Sequence, residues 1–241
     1  LKYTEAVEHH LPYLRRYARA VLGSAAQGDT SVEAALEDLL AKAQGDITRI
    51  GLFQALDGAL AARKPAQANA ASPARRALLL TAMEGFNAPD AAAVLSVTEA
   101  GFADLVAEAE RQIAALPKSR ISIIEDEPLI GASLTQIATE LGHTVTGVSA
   151  TRVTAVERAL AERPDLILAD IELADGSQGT DAVAEIRKAF TVPVIFVTAF
   201  PQRMLAGKSG EPTFLIPKPF KPAHVRAVIT QALYFKVSGG R

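Results

Sequence analysis

The sequence predicts two domains of different class: an all-α domain, followed by an α/β domain with a doubly wound, five-stranded parallel sheet. Two observations carry this reading. Before Pro117, apolar residues recur only at helical spacing. From Arg120 onward, short aliphatic runs alternate with amphipathic stretches. Four of those runs end at or shortly before a polar group, the pattern of buried parallel strands feeding one sheet edge. The expected boundaries are a helical domain at 1–117 (1–62 and 72–117 around a linker at 63–71), an α/β domain at 118–236 and a flexible tail at 237–241.

In the helical part, Leu11, Leu14, Ala18 and Val21 share one face and stop at Gly23-Ser24. Thr30-Ser31-Val32-Glu33 has the form of a capping box opening a second helix, with Val32, Leu36, Leu39 and Leu40 on its apolar side. A third helix is expected from Gly45-Asp46, carrying Ile50, Phe53, Leu56 and Leu60. Arg63 to Ser72, rich in Ala, Pro, Gln and Asn, reads as a linker. Beyond Ser72-Pro73, helices are expected at Ala74–Met83, ended by Gly85, and at Pro89–Leu95. A further one is N-capped by Thr98 and carries Phe102, Leu105, Val106, Ala109, Ile113 and Leu116 as its buried stripe. Two short helices meeting at a turn form a helix-turn-helix candidate, and a plain three-helix packing unit fits the pattern almost as well.

In the α/β part, strands are expected at Ile121–Ile124, Thr144–Val148, Leu166–Ala169, Val194–Val197 and Thr213–Ile216. Helices are expected at Pro128–Leu141, Thr151–Glu162 and Thr180–Ala189, with a short fourth helix near Gln202–Ala206. Asp175-Gly176-Ser177-Gln178-Gly179 reads as a flexible loop, and Ser238-Gly239-Gly240-Arg241 as an unstructured end.

Composition narrows the function classes. The 241 residues carry a formal net charge of −2, which exerts no general pull toward nucleic acid or anionic membrane. There is no cysteine, so disulfides and cysteine metal sites are excluded and a reducing cytoplasm suits the chain. No apolar run reaches bilayer length and no secretory leader is visible, so no membrane association is expected and the location is expected to be cytoplasmic.

The chemistry is expected at the strand ends. Asp170 closes Leu166–Ala169, Glu125-Asp126 follow Ile121–Ile124, Thr198 follows Val194–Val197, and Lys218 comes soon after Ile216. In an open α/β sheet, ligands gather beyond the carboxyl ends of parallel strands, so these groups converge on one crevice. A carboxylate becomes a usable nucleophile toward phosphorus only when charge on the phosphoryl oxygens is neutralised by a divalent cation and a positioned ammonium or guanidinium. Hard Mg²⁺ prefers carboxylate and water oxygens, which an acidic pair beside Asp170 supplies. Taken alone, Glu125-Asp126-Glu127 reads better as a solvated turn before a helix. Thr198 and Lys218-Pro219 at corresponding strand ends shift the balance to a site.

These residues and their order resemble the receiver domain of two-component response regulators, over roughly Arg120 to Phe235. The resemblance implies that Asp170 accepts a phosphoryl group from a sensor histidine kinase. It implies that Mg²⁺ is held by Glu125, Asp126, Asp170 and the backbone carbonyl of Glu172. Thr198 would hydrogen-bond one phosphoryl oxygen and Lys218 would pair with another. Phe196-Val197-Thr198-Ala199-Phe200 is similar to the FATGUY variant of the receiver motif. Leu215 stands where commoner receivers carry an aromatic switch, leaving that part to Phe200 or Phe214; a packed loop aromatic accounts for Phe200 equally well. Receivers commonly have a cis peptide at the position of Lys218-Pro219. The chain is expected to be a stoichiometric phosphoacceptor, with at most slow loss of its own phosphoryl group, and no enzyme. An aspartyl-phosphate phosphohydrolase would want an aspartate where Glu172 stands. His9, His10, His143 and His224 show no metal-ligand spacing and read as surface or cap residues.

The helical part is similar to extracytoplasmic-function sigma factors. Leu11-Pro12-Tyr13-Leu14-Arg15-Arg16-Tyr17-Ala18 resembles the opening of their region 2. Ala77–Thr81 with Glu84-Gly85-Phe86, followed by Ala91–Val97, resembles the helix-turn-helix of their region 4. One departure matters more than the match. Between Ser72 and Leu116 the basic residues are Arg75, Arg76 and Arg111 against six acids, a net charge of −3. A DNA-reading surface needs cations to displace phosphate counterions, so direct DNA binding is disfavoured.

A sigma-like module with its DNA-reading charges missing, joined ahead of a receiver, resembles the PhyR family of alphaproteobacterial general stress response regulators. The resemblance implies partner switching: once the receiver is phosphorylated, the sigma-like domain sequesters a NepR-type anti-sigma factor and so releases a stress sigma factor. The alternative is a two-component transcription regulator that binds DNA.

Overall fold

The computed structural model describes residues 3–42, 47–62, 72–201 and 212–239. The linker at 63–71, the helix start at Gly45-Asp46 and the short helix near Gln202–Ala206 lie outside the described residues. The chain divides into two compact units, one built on Leu1–Ala115 and the other on Leu116–Arg203 with Phe214–Arg241. Among the described residues no helix is long and apolar enough to cross a membrane.

In the first unit, α1 (Tyr3–Leu22) buries Leu14, Tyr17, Ala18 and Val21, the face set by its 3.6-residue period. The helix runs through Pro12, which forgoes one backbone hydrogen bond there. It ends at Gly23, whose φ of +65° suits glycine. The second helix, α2 (Ala25–Lys42), starts earlier than the Thr30-Ser31 box predicts. Thr30 and Ser31 lie inside it, and their hydroxyls donate to the carbonyls of Ala26 (3.0 Å) and Gln27 (2.8 Å). A hydroxyl that can cap a helix start can equally bond back to the fourth residue before it, and sequence does not separate the two. Of the expected apolar side, Val32 is buried and Leu40 is exposed. Gly28 faces the backbone of α1 so closely that a Cβ would stand 2.7 Å from the Arg19 nitrogen.

Thr48 caps α3 (Arg49–Ala61) by accepting from the Gly51 amide at 3.1 Å, and Leu52, Phe53, Leu56 and Leu60 are buried. Then α4 (Pro73–Leu78) widens into one π-helical turn over Leu79–Met83. Gly85, at φ +71°, ends it. Asn87 caps α5 (Ala88–Val94) and Thr98 caps α6 (Glu99–Ala114), with a left-handed Ser96 in the tight turn between them. The expected stripe on α6 is shallower than its spacing suggests: Phe102 and Ala109 are buried, while Leu105, Val106, Ile113 and Leu116 are half-buried.

Buried polar pairs tie α1 to the later helices of this unit. Arg16 grips Glu84 with two hydrogen bonds of 3.0 and 2.9 Å, with side chains 7% and 0% exposed. The Tyr17 hydroxyl donates to Asp57 (3.2 Å), which also pairs with Arg76 at 2.6 Å. Burial pushes both the Tyr17 phenol and the Asp57 carboxyl upward, with Arg76 opposing each shift.

The second unit is a five-stranded sheet in the order β2-β1-β3-β4-β5, with every neighbouring pair parallel. Its elements are β1 (Arg120–Ile124), α7 (Pro128–Glu140), β2 (Thr144–Ser149), α8 (Arg152–Glu162) and β3 (Leu166–Asp170). They continue as α9 (Gly179–Ala189), β4 (Val194–Thr198), β5 (Phe214–Pro217) and α10 (Pro222–Gly239). All of β3 and β4 is buried, which explains their unbroken aliphatic runs. The strand order reverses direction between β1 and β3, and in such sheets the crevice beyond that point receives ligands. The helical backbone of α10 reaches Gly239, past the expected start of an unstructured end. His143 and His224 are buried rather than on the surface, and His143 Nδ1 accepts from the Ser119 amide at 3.3 Å.

Candidate functional site

Four strand ends build the site. Glu125 follows β1, with its amide donating to the Ser149 carbonyl at 2.9 Å and its side chain buried. Asp170 is the last residue of β3. Its Oδ1 accepts from the amides of Ile171 (2.6 Å) and Glu172 (3.4 Å), which fixes the carboxylate plane. Thr198 ends β4, is buried, and its Oγ1 accepts from the Phe200 amide at 3.0 Å, leaving its own proton free to donate elsewhere. After β5, Lys218 donates its amide to the Thr198 carbonyl (2.7 Å) and precedes a cis peptide to Pro219.

The Lys218 ammonium is the hub. Its Nζ lies 2.7 Å from Asp170 Oδ2, 3.1 Å from Glu125 Oε1 and 3.2 Å from Glu127 Oε1. Burial draws its pKa down, but Asp170 and Glu125 outweigh this and hold it above the ordinary lysine value. Glu125 moves upward, because burial penalises its charge more than Lys218 relieves it. A cavity of about 140 Å³ opens beside the hub, lined by Glu127, Asp170, Glu172, Thr198, Ala199, Phe200 and Lys218.

Ligand oxygens of Glu125, Glu127 and Asp170 all lie within 4.8 Å of one another. Asp126, an expected ligand, is not in this group and lines a neighbouring cavity with Pro128 and Gly131. Glu127 stands in the group instead. The chain bends at Asp126, and Glu125 and Glu127 on either side of the bend both reach the Lys218 ammonium. The donor set is all oxygen, anionic and partly buried, which suits a hard divalent cation.

Other expected positions also resolve. Phe200 is 44% exposed at the cavity rim, whereas Phe214 and Leu215 are buried, with the Phe214 ring 6.2 Å from that of Phe235. The loop after Asp170 is a closed turn rather than a loose one. Glu172 bridges Gln178, and both the Ser177 amide and hydroxyl donate to Asp175, at 2.9 and 2.6 Å. Gly179 packs on the site's backbone, where a Cβ would run into the Asp170 carbonyl oxygen.

On the helical unit, the cations a DNA surface would use are engaged. Arg75 is buried, Arg76 pairs with Asp57, and Arg111 pairs with Glu108 at 2.6 Å.

A receiver-type parallel sheet behind a sigma-like helical unit defines the response regulator class, and family models divide the chain accordingly. The Sigma2 domain of PhyR matches residues 7–57, the sigma-like domain of response regulator PhyR matches 68–115, and the response regulator receiver domain matches 121–230. The phyllosphere-induced regulator PhyR of Methylorubrum extorquens is 45% identical over 98% of this chain and 96% of its own length. The crystal structure of PhyR from Brucella abortus superposes with a TM-score of 0.89 at 43% identity, covering 99% of this chain and 97% of that one. The anti-anti-sigma factor PhyR from Bartonella quintana gives 0.90 at 42% identity, covering 98% and 97%. The chain belongs to the PhyR family of response regulators.

Proposed function

We propose that this chain is a phosphorylation-controlled partner switch: phosphorylation of Asp170 by a sensor histidine kinase lets the sigma-like unit sequester a NepR-type anti-sigma factor, freeing a stress sigma factor. The observation that carries the reading is a retained sigma-like fold whose arginines between Ser72 and Leu116 are buried or ion-paired: Arg75 and Arg76 inside, Arg111 on the surface with Glu108. Such a unit offers a partner-binding surface without the free charge that promoter DNA requires. The description of the Bartonella quintana relative as an anti-anti-sigma factor supports the same direction.

At the site, an Asp170 oxygen attacks the phosphorus of the kinase's phosphohistidine. The new O–P bond forms as the P–N bond breaks, and the electron pair returns to the imidazole nitrogen. Lys218, already beside Asp170, turns from carboxylate to phosphoryl oxygen. Thr198 donates its free hydroxyl proton to a second phosphoryl oxygen, and Phe200 at the cavity rim follows that movement. A magnesium ion fits the acidic group; Asp170 and Glu125 would hold it, with Asp126, Glu127 and the Glu172 carbonyl as the further donors. When bound it supplies charge neutralisation at the phosphoryl oxygens. The chain gives up its phosphoryl group slowly and turns over no substrate.

The test is stoichiometric phosphorylation of the wild type and of Asp170→Ala, each followed by a binding titration with the anti-sigma factor. One phosphoryl group per chain and phosphorylation-dependent binding, both lost in the variant, are expected. A variant that still labels, or binding indifferent to phosphorylation, overturns the reading.

A further inference from the structure

A third cavity has all its described lining residues in the sigma-like unit. It encloses about 370 Å³ and is lined by His9, His10, Tyr13, Arg16, Arg49 and Glu84. Its charge is unbalanced. Among the described residues Glu84 is the lining's one carboxylate, and Arg16 already takes both its oxygens. Arg49 has no carboxylate of its own among the described lining residues. Its guanidinium stacks over the Phe86 ring at 4.0 Å and donates through one nitrogen to the Glu84 backbone carbonyl. A guanidinium carries five N–H donors, and the stacking fixes the plane in which the remaining ones are presented. Burial first, and then the nearby His9 and Arg49, hold His10 below the usual imidazole value. The cavity sits on a chain whose net charge is −2 and in a unit otherwise fringed with acids. The walls are amphipathic: His9 and Tyr13 are exposed at the mouth, with the Arg16 guanidinium 5.3 Å from the centre of the Tyr13 ring.

We infer that this cavity receives a carboxylate side chain of the anti-sigma partner, paired with Arg49 and bordered by His9, His10 and Tyr13. The inference rests on the partner-switch reading and gives that partner one point of attachment: an acidic residue flanked by apolar ones. A protein carboxylate fits better than a nucleic acid phosphate, because among the described residues the cavity presents one unspent guanidinium and no flanking row of free cations. A charge-assisted hydrogen bond formed in this half-buried setting contributes about tenfold in affinity or more.

The test uses the full chain, carrying a beryllofluoride phosphoryl mimic, titrated with its anti-sigma factor at two salt concentrations. Arg49→Ala should weaken binding about tenfold or more and flatten the salt dependence. Arg49 also braces Phe86, so His9, exposed at the mouth, supplies an independent pair of variants. His9→Lys should tighten binding and His9→Glu should weaken it, each by roughly twofold to fivefold, as for exposed charge pairs. Opposite shifts at His9 support the inference. Equal affinities across wild type, His9→Lys and His9→Glu overturn it while leaving the partner switch standing. A wild type that binds no anti-sigma factor overturns both.

Discussion

Lys218 Nζ stands 2.7 Å from Asp170 Oδ2, so the proposed phosphoacceptor is already paired with the cation that phosphoryl transfer would require. The same ammonium answers Glu125, and one charge therefore organises two buried acids. Removing it should cost more in transition-state stabilisation than in folding. Lys218→Met is expected to slow phosphotransfer from the kinase by about 10²-fold, the scale for losing one charge-stabilising donor. Labelled-phosphate transfer measures this, and an unchanged rate would make Lys218 a bystander.

Glu125 supplies a pH prediction whose sign follows from its raised pKa. Burial makes the folded state hold this proton more tightly than the unfolded chain does. Its contribution to stability is complete below the ordinary value of 4.5 and is lost as pH rises through the folded value. Glutamine removes that loss. Without divalent cations at pH 7, Glu125→Gln should melt at or above the wild type, with flatter pH dependence above 4.5. Magnesium should then raise the melting temperature of the wild type more than that of the variant.

Two glycines should respond oppositely to alanine. At Gly179 the added methyl collides with the Asp170 carbonyl, so Gly179→Ala should lose about 1–3 kcal/mol and label more slowly at Asp170. At Gly58, inside α3, a Cβ meets nothing within 4 Å, so Gly58→Ala should gain about 0.5–1 kcal/mol. Denaturant titration of both variants checks the contrast.

Breaking the pair between Arg16 and Glu84 leaves a guanidinium buried without its carboxylate. Glu84→Ala should cost about 3–5 kcal/mol in urea unfolding of the helical unit. Substituting the exposed Glu108 should leave the midpoint unchanged, although its ion pair with Arg111 is shorter.

Phosphorylation alone is a weak lever for the switch. Turning a 1:99 population into 99:1 takes about 5.5 kcal/mol. One charge-assisted hydrogen bond from Thr198 supplies about 1.5–3 kcal/mol. The partner must contribute the remainder, so phosphoryl mimic and anti-sigma factor should each tighten the other's binding by the same factor. Calorimetric titrations in both orders test this, and a coupling factor of one would refute it.

Much of the receiver was legible because its signal is dense. Leu166–Asp170 and Val194–Thr198 are uninterrupted aliphatic runs with a functional group at the end, and burial on both sheet faces makes such runs unambiguous. Glu127 escaped because its membership in the acidic group depends on the backbone angles of one loop, which composition does not encode. Thr30 misled because a hydroxyl has two helical partners available and the sequence shows only the hydroxyl. Arg16 and Glu84 lie 68 residues apart, and no periodicity links a buried cation to an acid at that distance. Phe200 is visible as an aromatic beside Thr198, but its exposure at the cavity rim depends on how the chain turns after β4.

The arginines gathered inside the sigma-like unit could not be turned outward toward a nucleic acid without a cost to its core. Arg76 cannot swing outward without stranding Asp57, and Asp57 in turn anchors the hydroxyl of Tyr17. A variant built to bind DNA would have to import new cations onto a surface fringed with Glu99, Asp104 and Glu110, because redeploying the old ones would undo the core. The imitation is thus written into the interior as well as the surface.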